Sequence, residues 1–302
     1  METRAFRLAF SGGLRAGVNS GDVNRMSDAV TASTLWGGLG CCAARLADDG
    51  QVARLLTECR LSSLLWIDGE RPLFPAPHFV PPAGTDIKAL RKHRWLEFDD
   101  LARLVVGEVP RKAPILPYAE EHLTSAAIDR SDERALPYAR KRLRPAPGCD
   151  GLLIAQLPRD LEPLFQAALA LLGDSGIGGE RSHGWGLFSP SPVSLGDGVA
   201  EALDASGPCY LTLGALLPDV RETSLIESMA APCGYALWRL RGHVETGDIL
   251  KPTVTCLAHG SLLPFRPRGK TLVIGHAQGH PVFFNGAPPA LALARPQERR
   301  PT

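Results

Sequence analysis

The stretch Gly176-Ile-Gly-Gly-Glu-Arg-Ser-His-Gly-Trp-Gly-Leu-Phe188 gathers the residue types best suited to gripping an anion. Gly176, Gly178, Gly179, Gly184 and Gly186 stand within eleven residues. Glycine tolerates positive φ and lets backbone come close to a ligand. Successive N–H groups in such a loop form a concavity for anions. Arg181 adds a planar fork of donors that matches phosphate. Ser182 and His183 offer hydrogen bonds, and Trp185 offers a flat face. A Leu/Ala-rich helix, Leu161–Gly173, precedes the loop, and the apolar residues Trp185–Phe188 read as the strand after it. The order helix, glycine loop, strand excludes the dinucleotide fingerprint, in which the loop follows a strand. A phosphate-binding Walker loop is excluded too, because no Gly-Lys-Ser/Thr closes the run. Two readings remain open on these residues alone: a phosphate-gripping loop, or a flexible connection.

A second basic feature lies upstream. Arg140-Lys-Arg-Leu-Arg144 is a dense cluster between proline-bearing segments, enough for a local electrostatic footprint. Net charge is only +1, so the chain is not a general nucleic-acid coat. The bases are 27 Arg against 6 Lys, which suits planar recognition of phosphate and also suits a GC-rich genome. Seven cysteines include no CxxC pair, so neither a zinc site nor a disulfide framework is indicated. Cys41-Cys42 reads as helix packing. Asp and Glu are scattered, with no HxxxH or DxD cluster, so we expect no catalytic site, metal or cofactor. No apolar run reaches transmembrane length and no signal-peptide core is present, so we expect a cytoplasmic protein without a membrane partner.

The elements that must hold these features follow from periodicity. Thr3–Phe10 alternates and reads as an opening strand. Thr31–Asp49 reads as a helix with Leu35, Trp36, Leu39, Cys42, Ala43 and Leu46 at helical spacing. Ser62–Ile67 reads as a short strand. The five prolines of Pro72–Pro82 predict an extended surface segment. Lys88–Val106 is amphipathic, with Trp95, Phe98, Leu101, Leu104 and Val105 on one face. Pro110–Pro147 is either a long excursion or a hairpin, and Cys149–Leu157 is an apolar strand. Together these give βαββαβ. Ser189–Gly207 reads as a linker. Strands at Tyr210–Leu217, Gly234–His243, Pro252–Leu257, Thr271–Ile274 and Leu291–Ala294 define a second α+β domain. The tail Arg295–Thr302 is expected to be disordered.

A βαββαβ unit with a glycine-rich loop before its last strand resembles the RAMP superfamily of CRISPR RNA-binding proteins. The likeness runs along the chain. Thr31-Ala-Ser-Thr-Leu-Trp-Gly-Gly-Leu39 resembles that family's first-helix opening, and Leu73-Phe-Pro-Ala-Pro-His78 its proline segment. Ile128-Asp-Arg-Ser131 ahead of Ala135-Leu-Pro-Tyr138 resembles a third motif, and Gly279-His-Pro-Val-Phe-Phe-Asn-Gly-Ala287 a closing one. In this order they look like the five-prime-handle-capping subunits of type III-A (Csm) effector complexes. Two positions depart from the pattern: Ser33 stands where the family has an acid, unless Asp28 supplies it, and Arg134 replaces a glycine.

The resemblance implies an α+β fold of two ferredoxin-like (RRM-like) domains, antiparallel sheets with helices on one face, at 1–198 and 199–298. It implies a thumb-like insertion at about 110–147 beside the glycine-rich loop 176–186. It implies a non-catalytic antiviral subunit that binds the five-prime handle of crRNA. Its partners would be the large polymerase-like subunit, the backbone subunit numbered three and, indirectly, target RNA. RNA-binding residues would be Gly176, Gly178, Gly179, Arg181, Ser182, His183, Gly184 and Gly186 in the loop. Arg130, Arg140, Lys141 and Arg142 would serve on the thumb. Ser33 and Thr34, helix-capping types, would lie near RNA at the first helix. Trp185 is either core or a stacking surface. Asp129 pairs with Arg130, caps a turn, or serves the RNA site. Two rivals are carried: a metal-independent repeat-processing endoribonuclease of the same superfamily, with His183 as general acid/base, and a small-molecule enzyme with a phosphate-gripping loop.

Overall fold

The computed structural model describes residues 1–17, 26–27, 30–79, 81, 86–105, 108–128, 134–230, 233–244, 249–277 and 279–293. Asp28, Asp129, Arg130, Ser131 and the tail from residue 294 lie outside the described residues.

The first half runs β1 (Glu2–Phe10), α1 (Ala32–Ala43), α2 (Asp49–Glu58), β2 (Leu65–Asp68), β3 (Arg71–Pro75), β4 (Trp95–Glu97) and α3 (Phe98–Val105). Then come β5 (Tyr118–Ile128), β6 (Ala135–Pro145), β7 (Cys149–Leu157), α4 (Glu162–Ser175) and β8 (Phe188–Pro192). The main sheet has the order β8-β1-β7-β2-β3-β4, with Arg60–Leu61 also pairing on β7. Its neighbours are antiparallel throughout. Strand β7 is buried along nearly its whole length because it lies between β1 and β2 under the helices.

The helices lie on this sheet through apolar stripes. Leu35, Trp36, Leu39, Cys42 and Ala43 of α1 are buried, as are Phe165, Ala168, Leu169, Leu172 and Gly173 of α4. Both sets follow the i, i+3, i+4, i+7 spacing of a core-facing helix. Phe165 meets Phe6 of β1 with ring centroids 5.5 Å apart. Helix α4 does not close at Gly173. It runs on to Ser175, and Gly176 ends it with φ +77° while donating its N–H to the Leu172 carbonyl at 2.8 Å.

The second half adds α5 (Asp197–Asp204), β9 (Cys209–Thr212), α6 (Val220–Glu227), β10 (Leu237–Leu240), β11 (Val254–Leu257), β12 (Leu262–Leu263), β13 (Lys270–Ala277), β14 (His280–Gly286) and β15 (Ala290–Leu293). Among the described residues it pairs as a three-stranded antiparallel sheet, β12-β9-β15, with two ribbons, β10-β11 and β13-β14. Val199, Ala202 and Leu203 of α5 join the same buried cluster as Leu211, Leu262 and Leu291 and the core of the first half.

Several expectations need correction. The predicted helix Thr31–Asp49 stops at Ala43, and a second helix starts at Asp49, capped by Asp48 accepting from the Gln51 N–H at 3.0 Å. The proline-rich Pro72–Pro82 begins inside the sheet, with Leu73, Phe74 and Pro75 buried. Its prolines stand near the ends of β3, where a lost N–H costs least. Lys88–Val106 splits into a strand carrying Trp95 and a helix carrying Leu101, Leu104 and Val105. Ser189–Gly207 is not a linker: its Ser/Pro run is β8, an edge strand that tolerates proline, followed by α5. Trp185 precedes the last strand, which starts at Phe188.

Gly173 gives a direct test of how α4 seats on β8. Alanine normally favours a helix interior by about 1 kcal/mol over glycine. Here a Cβ would stand 2.2 Å from the Phe188 carbonyl oxygen. Backbone must move, so Gly173→Ala should lower stability by about 1–3 kcal/mol in urea unfolding. A gain in stability would contradict this packing.

Candidate nucleic-acid interface

The glycine loop is one layer of a three-layer seam. The middle layer is the chain just after β1. Arg15 pairs in parallel with Gly178, and Leu14 pairs antiparallel with Leu143 of β6. The Gly186 N–H donates to Gly13 O at 3.0 Å, and the Gly179 N–H to Arg15 O at 2.9 Å. On the other side, Leu14 and Leu143 exchange two backbone bonds of 2.8 Å. Gly13–Arg15 therefore ties the loop to the hairpin β5-β6, which resolves Pro110–Pro147 as a hairpin with an eleven-residue ladder from Tyr118↔Pro145 to Ile128↔Ala135.

Close approach explains Gly178, Gly186 and Gly13. Gly178, at φ +83°, would set a Cβ 2.1 Å from Arg15 O, and Gly186, at φ +74°, one 2.0 Å from Ile177 O. Gly13 lies directly under Arg142, whose Cδ is 2.2 Å from where a Cβ would be. Glu180 is the one non-glycine residue with positive φ among the described residues, at +63°. A left-handed conformation costs a side-chain-bearing residue roughly 1–2 kcal/mol.

Glu180 is held there by two arginines and a histidine. Its carboxylate accepts from Arg140 at 2.8 Å and lies 3.0 Å from His183 Nδ1 and 3.5 Å from Arg15 Nη1. The Arg140 and Arg15 side chains are only 13% and 12% exposed, so screening by water is weak. Arg140 also donates to Ser125 Oγ from Nε and Nη2, at 3.0 and 2.6 Å. Its guanidinium lies 5.4 Å from the Trp185 ring centre and 5.4 Å from that of Tyr138. Arg142 sits 5.5 Å from the same Trp185 ring and donates to Glu121 Oε2 at 2.7 Å. Trp185 is thus buried core and a cation–π platform at once.

The guanidiniums of Arg144 and then Arg142 hold the Glu121 carboxyl below its ordinary value of 4.5. A depressed carboxyl stabilises the folded state above its unfolded pKa. That contribution is lost as pH falls through the folded value.

The predicted site residues divide. Gly176 and Gly186 are buried and shape the loop, and Gly178 is half-buried against Arg15. Gly179, Arg181, Ser182, His183 and Gly184 are exposed, with residues 181–183 in one 3-10 turn. Arg140 and Arg142 face the loop. Lys141, half-buried, lies on the opposite hairpin face, in register with His122. Arg130 lies outside the described residues. Ser33 and Thr34 sit in the first turn of α1 rather than capping it. Thr31 holds the cap position, and its Oγ1 hydrogen-bonds Ser33 Oγ at 2.9 Å and Thr34 Oγ1 at 3.3 Å. Sequence reasoning missed Glu180, Arg15, Glu121 and Ser125. An acid placed inside a glycine run beside an arginine was the available signal. Among the described residues no three His, Cys, Asp or Glu side chains gather as a metal ion would require.

Comparison with known proteins agrees with this architecture. Residues 205–293 match the family described as the CRISPR Csm4 C-terminal domain. A curated protein of Thermococcus onnurineus (strain NA1), "CRISPR system Cms protein Csm4", is 25% identical over 293 residues, covering 89% of this chain and 93% of its own length. A Csm1-Csm4 cassette in complex with cA4 superposes with TM-score 0.64 at 18% identity, over 98% of this chain and 100% of that one. A Csm3-Csm4 subcomplex of the type III-A interference complex gives TM-score 0.66 at 14% identity, over 95% and 98%. The chain is thus similar to Csm4 proteins, by the family model over residues 205–293 and at 25% identity along most of its length.

Two adjacent glycines test the seam. Gly178→Ala adds left-handed strain and a backbone clash, and should cost about 2 kcal/mol or more. Gly179→Ala meets nothing closer than Arg15 Cδ at 3.6 Å, and should change stability by less than about 0.5 kcal/mol. Equal effects in thermal unfolding would dissolve the distinction.

Proposed function

We propose that this chain is a non-catalytic subunit of a type III-A CRISPR-Cas (Csm) interference complex, acting in the cytoplasm in antiviral defence. In this reading it binds the five-prime handle of crRNA and docks the large polymerase-like subunit and the backbone subunit numbered three. Contact with target RNA is indirect. The partners are proposed from the matched structures, which are of Csm1-Csm4 and Csm3-Csm4 assemblies of other proteins. Among the described residues no helix is long and apolar enough to cross a membrane.

One observation carries the RNA reading. The exposed turn Arg181–His183 is mounted on a loop hydrogen-bonded to Gly13 and Arg15, beside an arginine-bearing hairpin. A single-stranded handle has no groove to read. It is bound through phosphates, stacked bases and 2′-hydroxyls. Arg181 and Ser182 are assigned to phosphate, and His183 to a base or phosphate. The buried glycines give shape, and the hairpin is the thumb, carrying Lys141 and, beyond the described residues, Arg130. Ser33 and Thr34 are assigned a secondary contact at the start of α1.

The order β8-β1-β7-β2 with α1 and α4 as crossovers supports a ferredoxin-like first domain over about 1–198. A second such domain is proposed over 199–298, where the described residues form a three-stranded antiparallel sheet.

The test is to tag the chain in its native cell and sequence the five-prime ends of RNA purified with it. Short RNAs sharing one repeat-derived tag are expected, with a large partner. RNA without a common end would remove the capping role. Arg181→Ala should weaken RNA retention and lower the salt slope of binding by about one. If the purified wild-type chain cuts repeat RNA and His183→Ala abolishes the cut, the endoribonuclease reading replaces this one.

A further inference from the structure

Glu180 is unusual in three respects. It carries a side chain where the backbone asks for glycine. It sits in the loop proposed to bind phosphate. And it already engages Arg15, Arg140 and His183 with one carboxylate. A carboxylate and a phosphodiester share their chemistry here, since each offers two anionic oxygens to a guanidinium fork. Two arginines converge on this one carboxylate, and their side chains are mostly covered. Trp185 backs the cluster with its ring under Arg140 and Arg142.

The geometry points to Glu180 as an internal placeholder for phosphate. Its carboxylate keeps Arg15, Arg140 and His183 aligned, and a phosphodiester of single-stranded RNA displaces it and takes the same donors. Strained backbone at functional sites persists where surrounding contacts over-determine it. Here Arg15, Arg140 and His183 supply those contacts, and on displacement they pass from carboxylate to phosphate. The seam would thereby stay closed without RNA and still discriminate against weakly bound anions. This inference rests on the RNA-binding reading above and adds a competitor to that site.

The test compares the full-length wild type with Glu180→Gln and Glu180→Gly. Each is titrated with a short unstructured RNA at several salt concentrations. Both variants should bind RNA several-fold more tightly at low salt, with a salt slope steeper by about one, because one more cationic contact is open to phosphate. Unchanged or weaker binding by folded variants overturns the placeholder and makes Glu180 a strut. A second readout separates this from failure of the functional reading. Inorganic phosphate should perturb Trp185 emission at lower concentration in Glu180→Gln than in wild type, with Trp185→Phe as the control for the other tryptophans. A wild type that binds no RNA removes the functional reading, and the phosphate titration then decides the placeholder alone. An identical phosphate response in both proteins overturns it.

Discussion

The carboxylate of Glu180 and the guanidinium of Arg140, 2.8 Å apart, join the two features on which the proposed function rests. One lies in the glycine loop and the other on the long hairpin. An ion pair on an open surface contributes little, because water screens it and long side chains lose freedom. This one is largely covered, shares its arginine with Ser125 and stacks that arginine on Trp185. Its value is therefore geometric. It fixes the angle of an eleven-residue ribbon whose far end, with Ile128 and Leu136 exposed, extends away from the core.

The rest of the first domain holds this seam in place. Strand β1 lies between β8 and β7, so the residues that follow it, Gly13–Arg15, emerge beside the end of α4. Helix α4 is seated by Phe165 against Phe6 and by the close approach of Gly173 to Phe188. The loop between α4 and β8 is therefore pinned at both ends. A glycine-rich segment so pinned is a mould rather than a tether. That counts against the flexible connection and leaves phosphate binding as the proposal.

Much of this was legible in the sequence. The apolar spacing in α1 and α4 is strong, and both helices form there, with α1 ending at Ala43, short of the expected Leu46. The glycine loop and the basic cluster were visible as composition. What stayed hidden were pairings across long separations. Glu180 is forty residues from Arg140 in the chain and 165 from Arg15. The local pattern, an acid in a glycine run, does not name such distant partners. Proline misled twice, at Pro72–Pro75 and Pro190–Pro192, because proline breaks interior strands but is accepted at strand ends and edges. The second half was harder, since its strands are short and divide between a small sheet and two ribbons.

The central claim is the proposal that the seam formed by the glycine loop, Gly13–Arg15 and the hairpin is the RNA surface of this chain. Ultraviolet cross-linking of the RNA-bound assembly, followed by mass spectrometry of the linked peptides, tests it most directly. The account predicts cross-links within Gly179–Trp185 and on the β5-β6 hairpin. Cross-links confined to the second half, for example to the β13-β14 ribbon, would contradict it.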